Sequence, residues 1–283
     1  MEKSTRRSLM AAALAGTLTA AGLTTAQAGQ NGENRSVLGS CDDDSGPSAL
    51  LTIDYKNGEL NSGIPELTTT HATADDASYV VASGADHAVA HKVTLGDPAY
   101  VSDGAPRSES ATNDVHEGKF VVGDEQRYEF SVLLKDWKPF RSGDSESGDI
   151  IFQGKHAGGN QPSFYLMTKR NSIAFRSPIL DLQSTVVADF RPYINGWMHF
   201  RVDVHWTDDS TGYYKVSTRM PGESQFTLRQ TYENVKTFHP VNPADFGYLK
   251  WGLYRPGQTL EKGDVPTRIV HHDDIRVLDV SQR

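Results

Sequence analysis

Hydrophobic and polar positions alternate along most of this chain with a period of two. WMHFRVDVHW shows it most plainly: Trp197, His199, Arg201, Asp203 and His205 fall on one side, and Met198, Phe200, Val202, Val204 and Trp206 on the other. That is the pattern of a strand with one packed and one wetted face. The same short β-branched or aromatic character recurs in LLTIDY, SYVVAS, AVAHKVTL, KFVVG, QRYEFSVLL, DIIFQG, SFYLMT, SIAFR, GYYKVSTRM, FTLRQTY, YLKWGLY and RIVHHDDIRVLDV. Turn-forming NG, SG, GD, DG, DDSTG and PG separate these runs. No persuasive 3.6-residue apolar period follows the first residues, and no solenoid or propeller repeat is present. Many short strands over one continuous stretch predict an all-β sandwich of antiparallel sheets rather than βαβ units.

The N-terminus departs from this pattern. STRRSLM, the apolar AAALAGTLTAAGL and the AQA ending at Ala28 predict a secretory signal peptide over residues 1–28, and Arg6 with Arg7 admits a twin-arginine route. The apolar run is too short to span a bilayer. Residues 29–48, rich in Gly, Asn, Ser and Asp, predict a flexible leader, and residues 49–283 a single domain. A secreted, extracellular protein is expected. The lone Cys41 offers no internal disulfide. LGSC, ending at Cys41, is separated from the apolar run by the polar GQNGENRS, so Cys41 reads as an incidental thiol rather than a lipid-attachment site. The net charge of −8 becomes more negative once Lys3, Arg6, Arg7 and Glu2 are removed. Such acidity disfavours phosphate binding, so nucleic acid is not an expected partner; with no second long apolar stretch, a membrane is not expected either.

Candidate chemistry gathers in three segments. In YLKWGLYRPG the alternation puts Tyr248, Lys250, Gly252 and Tyr254 on one face and Leu249, Trp251 and Leu253 on the core side. IIFQGKH is an apolar strand interrupted by Gln153, Lys155 and His156. In PRSES, Arg107 and Glu109 share a face if the segment is extended. A carboxylate binder, an amide, a titratable ring and a phenol are what β-elimination on a uronate polymer requires. The substrate carboxylate opposes carbanion character at C5, and donors around it must offset that charge. Arg107 would clamp it and Gln153 would donate its amide. His156 or Tyr254 would take the C5 proton and protonate the leaving oxygen, and Lys250 would favour the phenolate of Tyr254 by its charge. Tyr248, Lys155 and Glu109 would contact substrate, and Gly252 would leave room for a sugar ring.

PRSES, FQGKH and YLKWGLYRPG, in that order, resemble the three signature strands of the jelly-roll polysaccharide lyases, which include alginate lyases, glucuronan lyases and the heparin lyase I-like group. NGWMHFRVDVHWTDDSTGYYKV ahead of KWGLYR is similar to the glucuronan lyase and heparin lyase I-like branch. The resemblance implies a β-jelly-roll with a concave substrate groove, Arg107 and Gln153 on the substrate carboxylate, and Tyr254 as the proton-transferring phenol beside Lys250. Jelly-roll alginate lyases pair glutamine and histidine two residues apart, whereas Gln153 and His156 are three apart. Either a bulge re-aims His156 or Lys155 occupies that place.

The resemblance also implies a structural calcium, for which CDDDSG and the loop acids offer ligands, although no twelve-residue calcium loop is present. No other cofactor is expected. HHDD at His271–Asp274 splits between two strand faces and does not form a metal shell. The Glu-x-Asp-x-Glu spacing of a sandwich hydrolase, a G-x-S-x-G elbow and a dinucleotide fingerprint are all absent. Alternation sends Trp206 and Trp251 to the core. The expected protein is a monomeric polysaccharide lyase acting on an acidic polysaccharide. Its alternative is a non-catalytic, lectin-like sandwich using the same groove.

Overall fold

The computed structural model describes residues 47–159, 161–242 and 245–281. The signal peptide, Cys41, CDDDSG and nearly all of the expected leader lie outside those residues. The strands in chain order are β1 (Ser48–Ile53), β2 (Ser78–Ser83), β3 (Asp86–Thr94), β4 (Val101–Ser102), β5 (Ala105–Ala111), β6 (Lys119–Phe120), β7 (Glu125–Lys135) and β8 (Asp149–His156). They continue with β9 (Phe164–Lys169), β10 (Ser172–Ser177), β11 (Leu182–Val187), β12 (Met198–His205), β13 (Gly212–Arg219), β14 (Thr227–Val235), β15 (Gly247–Tyr254) and β16 (Thr267–Asp279). All pairings are antiparallel, in two sheets. One runs β14-β13-β12-β7-β16-β3-β2, with β1 also on β16; the other runs β11-β10-β9-β8-β15-β5-β4, with β6 also on β15.

Alternation along the strands makes the core. Met198, Phe200, Val202 and Val204 of β12 are fully buried, while Arg201 and Asp203 on its outer face pair with Glu129 and Arg127 of β7. Phe130 of β7 stacks on Phe152 of β8 across the two sheets at 3.7 Å between ring centres, and Trp206 stacks on Phe120 at 3.8 Å. Buried aromatic polar atoms find partners: Trp251 Nε1 donates to the Tyr55 hydroxyl at 3.0 Å and Trp206 Nε1 to that of Tyr128 at 2.7 Å. Truncating one such aromatic side chain to alanine costs about 3–5 kcal/mol.

Every run expected from alternation lies on a strand. β4, β5 and β11 carry no such signal. β5, APRSESA, is polar on both faces: Ser108 and Ser110 point inward, where their hydroxyls donate to the carbonyls of Ala77 and Thr69. Hydrogen bonding replaces apolar packing there, so the strand is invisible to a hydrophobic pattern.

Candidate active site

β15 is the axis of the site, with β5 on one side and β8 on the other. Cross-strand register sets Tyr254 opposite Arg107 and Gly252 opposite Glu109 on β5. On β8 it sets Tyr248 opposite Lys155 and Lys250 opposite Gln153. Because strand side chains alternate, Arg107, Glu109, Gln153, Lys155, Tyr248, Lys250 and Tyr254 share the face turned away from the core, while Leu249, Trp251 and Leu253 are fully buried on the other. A cleft of about 670 Å³ opens over this face, walled by Ile150, Pro162, Tyr165, Pro178 and Pro256. A second hollow of about 300 Å³, lined by His71, Asn113, Asp114 and Phe246, shares Tyr248 and Lys250 with it.

Glu109 organises the floor. Its carboxylate accepts from Lys250 Nζ at 2.7 Å and from Gln153 Nε2 at 2.6 Å, with Arg107 Nη1 at 4.0 Å. Arg107 also reaches Asp103 at 3.5 Å, and its guanidinium lies 4.1 Å from the centre of the Tyr254 ring. Three basic side chains, Arg107, Lys155 and Lys250, gather at this cleft with Asp103 and Glu109 on a chain that is net negative. Burial lowers the Lys155 pKa, helped by the charges of Lys250 and Arg107 and opposed by Glu109. Burial raises that of Tyr248, with Glu109 and Asp103 adding to the effect and Arg107 opposing it.

Three expectations need correction. His156 is not in the cleft: β8 turns it into the core, where it meets Phe238 edge to face at 4.8 Å and also packs against Phe120 and Trp206. Its Nε2 accepts from the His239 backbone N–H at 3.3 Å and also bonds the Ser163 hydroxyl; burial pushes its pKa down to about 4. No bulge re-aims it. Lys155, two residues from Gln153, holds the groove position instead. Second, Lys250 spends its charge on Glu109, and the cation on Tyr254 is Arg107. Third, Gly252 serves the sheet rather than a sugar. It sits at φ +139°, where β15 slips register against β8, and a Cβ there would lie 2.3 Å from the Ser108 carbonyl oxygen and 2.7 Å from Glu109 Cα.

Tyr165 and Asp103 line the cleft without having been singled out from sequence. Alternation in SFYLMT separates Tyr165 from core Phe164 and Leu166, but only the β8–β9 register, which pairs Tyr165 with Gln153, brings it to the site. Among the described residues no group of three or more His, Cys, Asp or Glu converges to hold a metal. His272 of HHDD is buried in the core, and Asp274 sits at φ 51° within a register shift of β16.

A family model described as Polysaccharide lyase matches residues 40–276. No curated protein matches the sequence. Among solved structures, the fold is similar to that of an endo-β-1,4-glucuronan lyase from the fungus Trichoderma reesei, at 20% identity over 82% of this chain and 96% of that one, with a TM-score of 0.56. It is also similar to a marine alginate lyase from Aplysia kurodai, at 12% identity over 82% and 99% of the two chains with a TM-score of 0.57. An alginate lyase from Klebsiella pneumoniae matches at 13% identity over 72% and 85%, with a TM-score of 0.50. At these identities the likeness is one of fold.

Proposed function

The chain belongs to the polysaccharide lyase family, and from that premise we propose that its cleft cleaves a uronate-containing polysaccharide, glucuronan- or alginate-like, by β-elimination. The observation that carries this reading is the donor cluster around Glu109: Arg107, Gln153 and Lys250 converge on one buried carboxylate beside the Tyr254 phenol. Donors held in place by a fixed counter-charge need no reorganisation when a substrate carboxylate gains enolate character. The uronate carboxylate rests against Arg107 and the remaining donors of Gln153 and Lys250. The C5 proton passes to a group on the same floor as the C4–O4 bond breaks, and Tyr254 protonates the leaving glycosidic oxygen.

The basic groups gathered in the cleft favour an acidic polymer, and fold relatives named for glucuronan and for alginate support those two polymers as first substrates. Hollows on both sides of Tyr248 and Lys250 favour a chain lying across the strands, hence cleavage within the polymer. The signal-like N-terminus supports secretion, testable by finding a mature protein that begins at Gly29; the leader and the single domain are part of the same proposal, as is a monomer without cofactor. Purified protein incubated with glucuronan, alginate and heparan-type chains should raise ultraviolet absorbance in step with new reducing ends. Reducing ends without that absorbance would refute β-elimination, and polymer binding with neither product would favour the lectin-like alternative.

A further inference from the structure

The floor of the cleft divides into groups that are already engaged and groups that are not. Arg107, Gln153 and Lys250 are tied to Glu109 or Asp103. Among the described residues the Lys155 amine and the Tyr248 and Tyr254 hydroxyls have no hydrogen-bond or ion-pair partner. Lys155 and Tyr254 lie on opposite flanks of the donor cluster. Lys155 stands across from Tyr248, two residues along β8 from Gln153, and Tyr254 stands across from Arg107 and Ile150.

Resting on the β-elimination reading, we propose that Lys155 is the catalytic base that removes the C5 proton, and that Tyr254 is the acid that protonates the leaving oxygen. The neutral amine accepts the proton while the C5–H electron pair becomes the C4–C5 double bond. The C4–O4 pair stays with oxygen, which takes the Tyr254 proton. Transfer of one proton from the Lys155 ammonium to the Tyr254 phenolate through solvent restores both groups. The charged and titratable groups facing Lys155 are Tyr248 and Lys250 of β15, Arg107 and Glu109 of β5, Asp103 of the β4–β5 turn and Tyr165 of β9. Burial and the two cations favour the neutral amine, and Glu109 partly opposes them. Tyr248 is held protonated by burial and by Glu109 and Asp103, so it does not compete as a base.

The test uses Lys155→Arg, Lys155→Met and Lys155→His in the full chain, assayed on glucuronan and alginate. Arginine keeps the cation but does not deprotonate. Lys155→Arg is therefore expected to lower kcat by about 10²–10⁴-fold, with KM within about threefold of wild type. Lys155→His should recover part of the rate, with the acidic limb of the pH profile moved down toward about pH 6.5. A near-wild-type kcat for Lys155→Arg, a loss confined to KM, or an unmoved acidic limb in Lys155→His would overturn the assignment. Should Lys155→Arg fail to fold, Lys155→Met and Lys155→His carry the same comparison. If the wild-type protein forms no unsaturated product, the β-elimination reading fails, and this assignment with it. If it does form one and Lys155→Arg turns over normally, the assignment alone fails.

Discussion

Replacing Glu109 with glutamine removes the charge at the centre of the cleft floor while keeping the side chain's shape. In the native arrangement its carboxylate holds Lys250 at 2.7 Å, and the two side chains are only 3% and 11% exposed. That geometry belongs with buried ion pairs, where loss of one partner costs about 3–5 kcal/mol, and not with exposed ones worth about 0–1 kcal/mol. A glutamine oxygen still accepts one hydrogen bond, so Glu109→Gln should cost about 3 kcal/mol, the lower end of the range. At an m-value of about 3 kcal/mol per molar, this moves the urea midpoint down by about 1 M. Lys250→Met should cost a similar amount by stranding Glu109. The double variant Glu109→Gln/Lys250→Met should then be more stable than the sum of the single losses by about 2–3 kcal/mol, while remaining inactive. Urea unfolding followed by tryptophan fluorescence, with turnover measured on the same samples, tests all three. A Glu109→Gln loss below about 1 kcal/mol, or strict additivity, would refute the view that Glu109 is a buried counter-charge.

Tyr254→Phe should leave folding and polymer binding intact and lower kcat by about 10²–10⁴-fold, checked by steady-state kinetics alongside affinity electrophoresis. Gly252→Ala should destabilise the protein by about 1–3 kcal/mol, since the new methyl would meet the β5 backbone; thermal unfolding measures it. Burial pushes the pKa of His91 down to about 3 and that of His272 well below its ordinary value. Both rings are neutral in the folded protein and take up protons on unfolding below about pH 6.5. Stability should therefore fall as pH drops from about 6.5 toward 3, by up to about 1.4 kcal/mol per pH unit for each ring. His272→Phe, at a fully buried position beside the His91 ring, should flatten that slope in a pH series of melting curves.

The sandwich was legible because alternation survives wherever one strand face packs on carbon. It failed at β5, where inward serines bond to carbonyls, although β5 carries Arg107 and Glu109. Six of the seven groups on the cleft face follow from simple parity within β8 and β15 or within the Arg-x-Glu segment, and Lys155 follows once β8 is read without a bulge at its end. His156 was misplaced because sequence spacing does not say whether a strand is regular: β8 does slip register, but between Ile150 and Phe152, ahead of Gln153. Partners across strands were not legible at all. The Lys250–Glu109 pair spans 141 residues, and the contact of Arg107 with Tyr254 joins β5 to the far end of β15.

The fate of water during cleavage distinguishes β-elimination from hydrolysis at the level of the products. Digestion of glucuronan or alginate in water enriched in heavy oxygen, followed by mass spectrometry of the oligosaccharides, separates elimination from hydrolysis without reference to any one residue. β-Elimination leaves an unsaturated new terminus and no heavy oxygen incorporated by the cleavage step; saturated products carrying one heavy oxygen per cut would show hydrolysis instead.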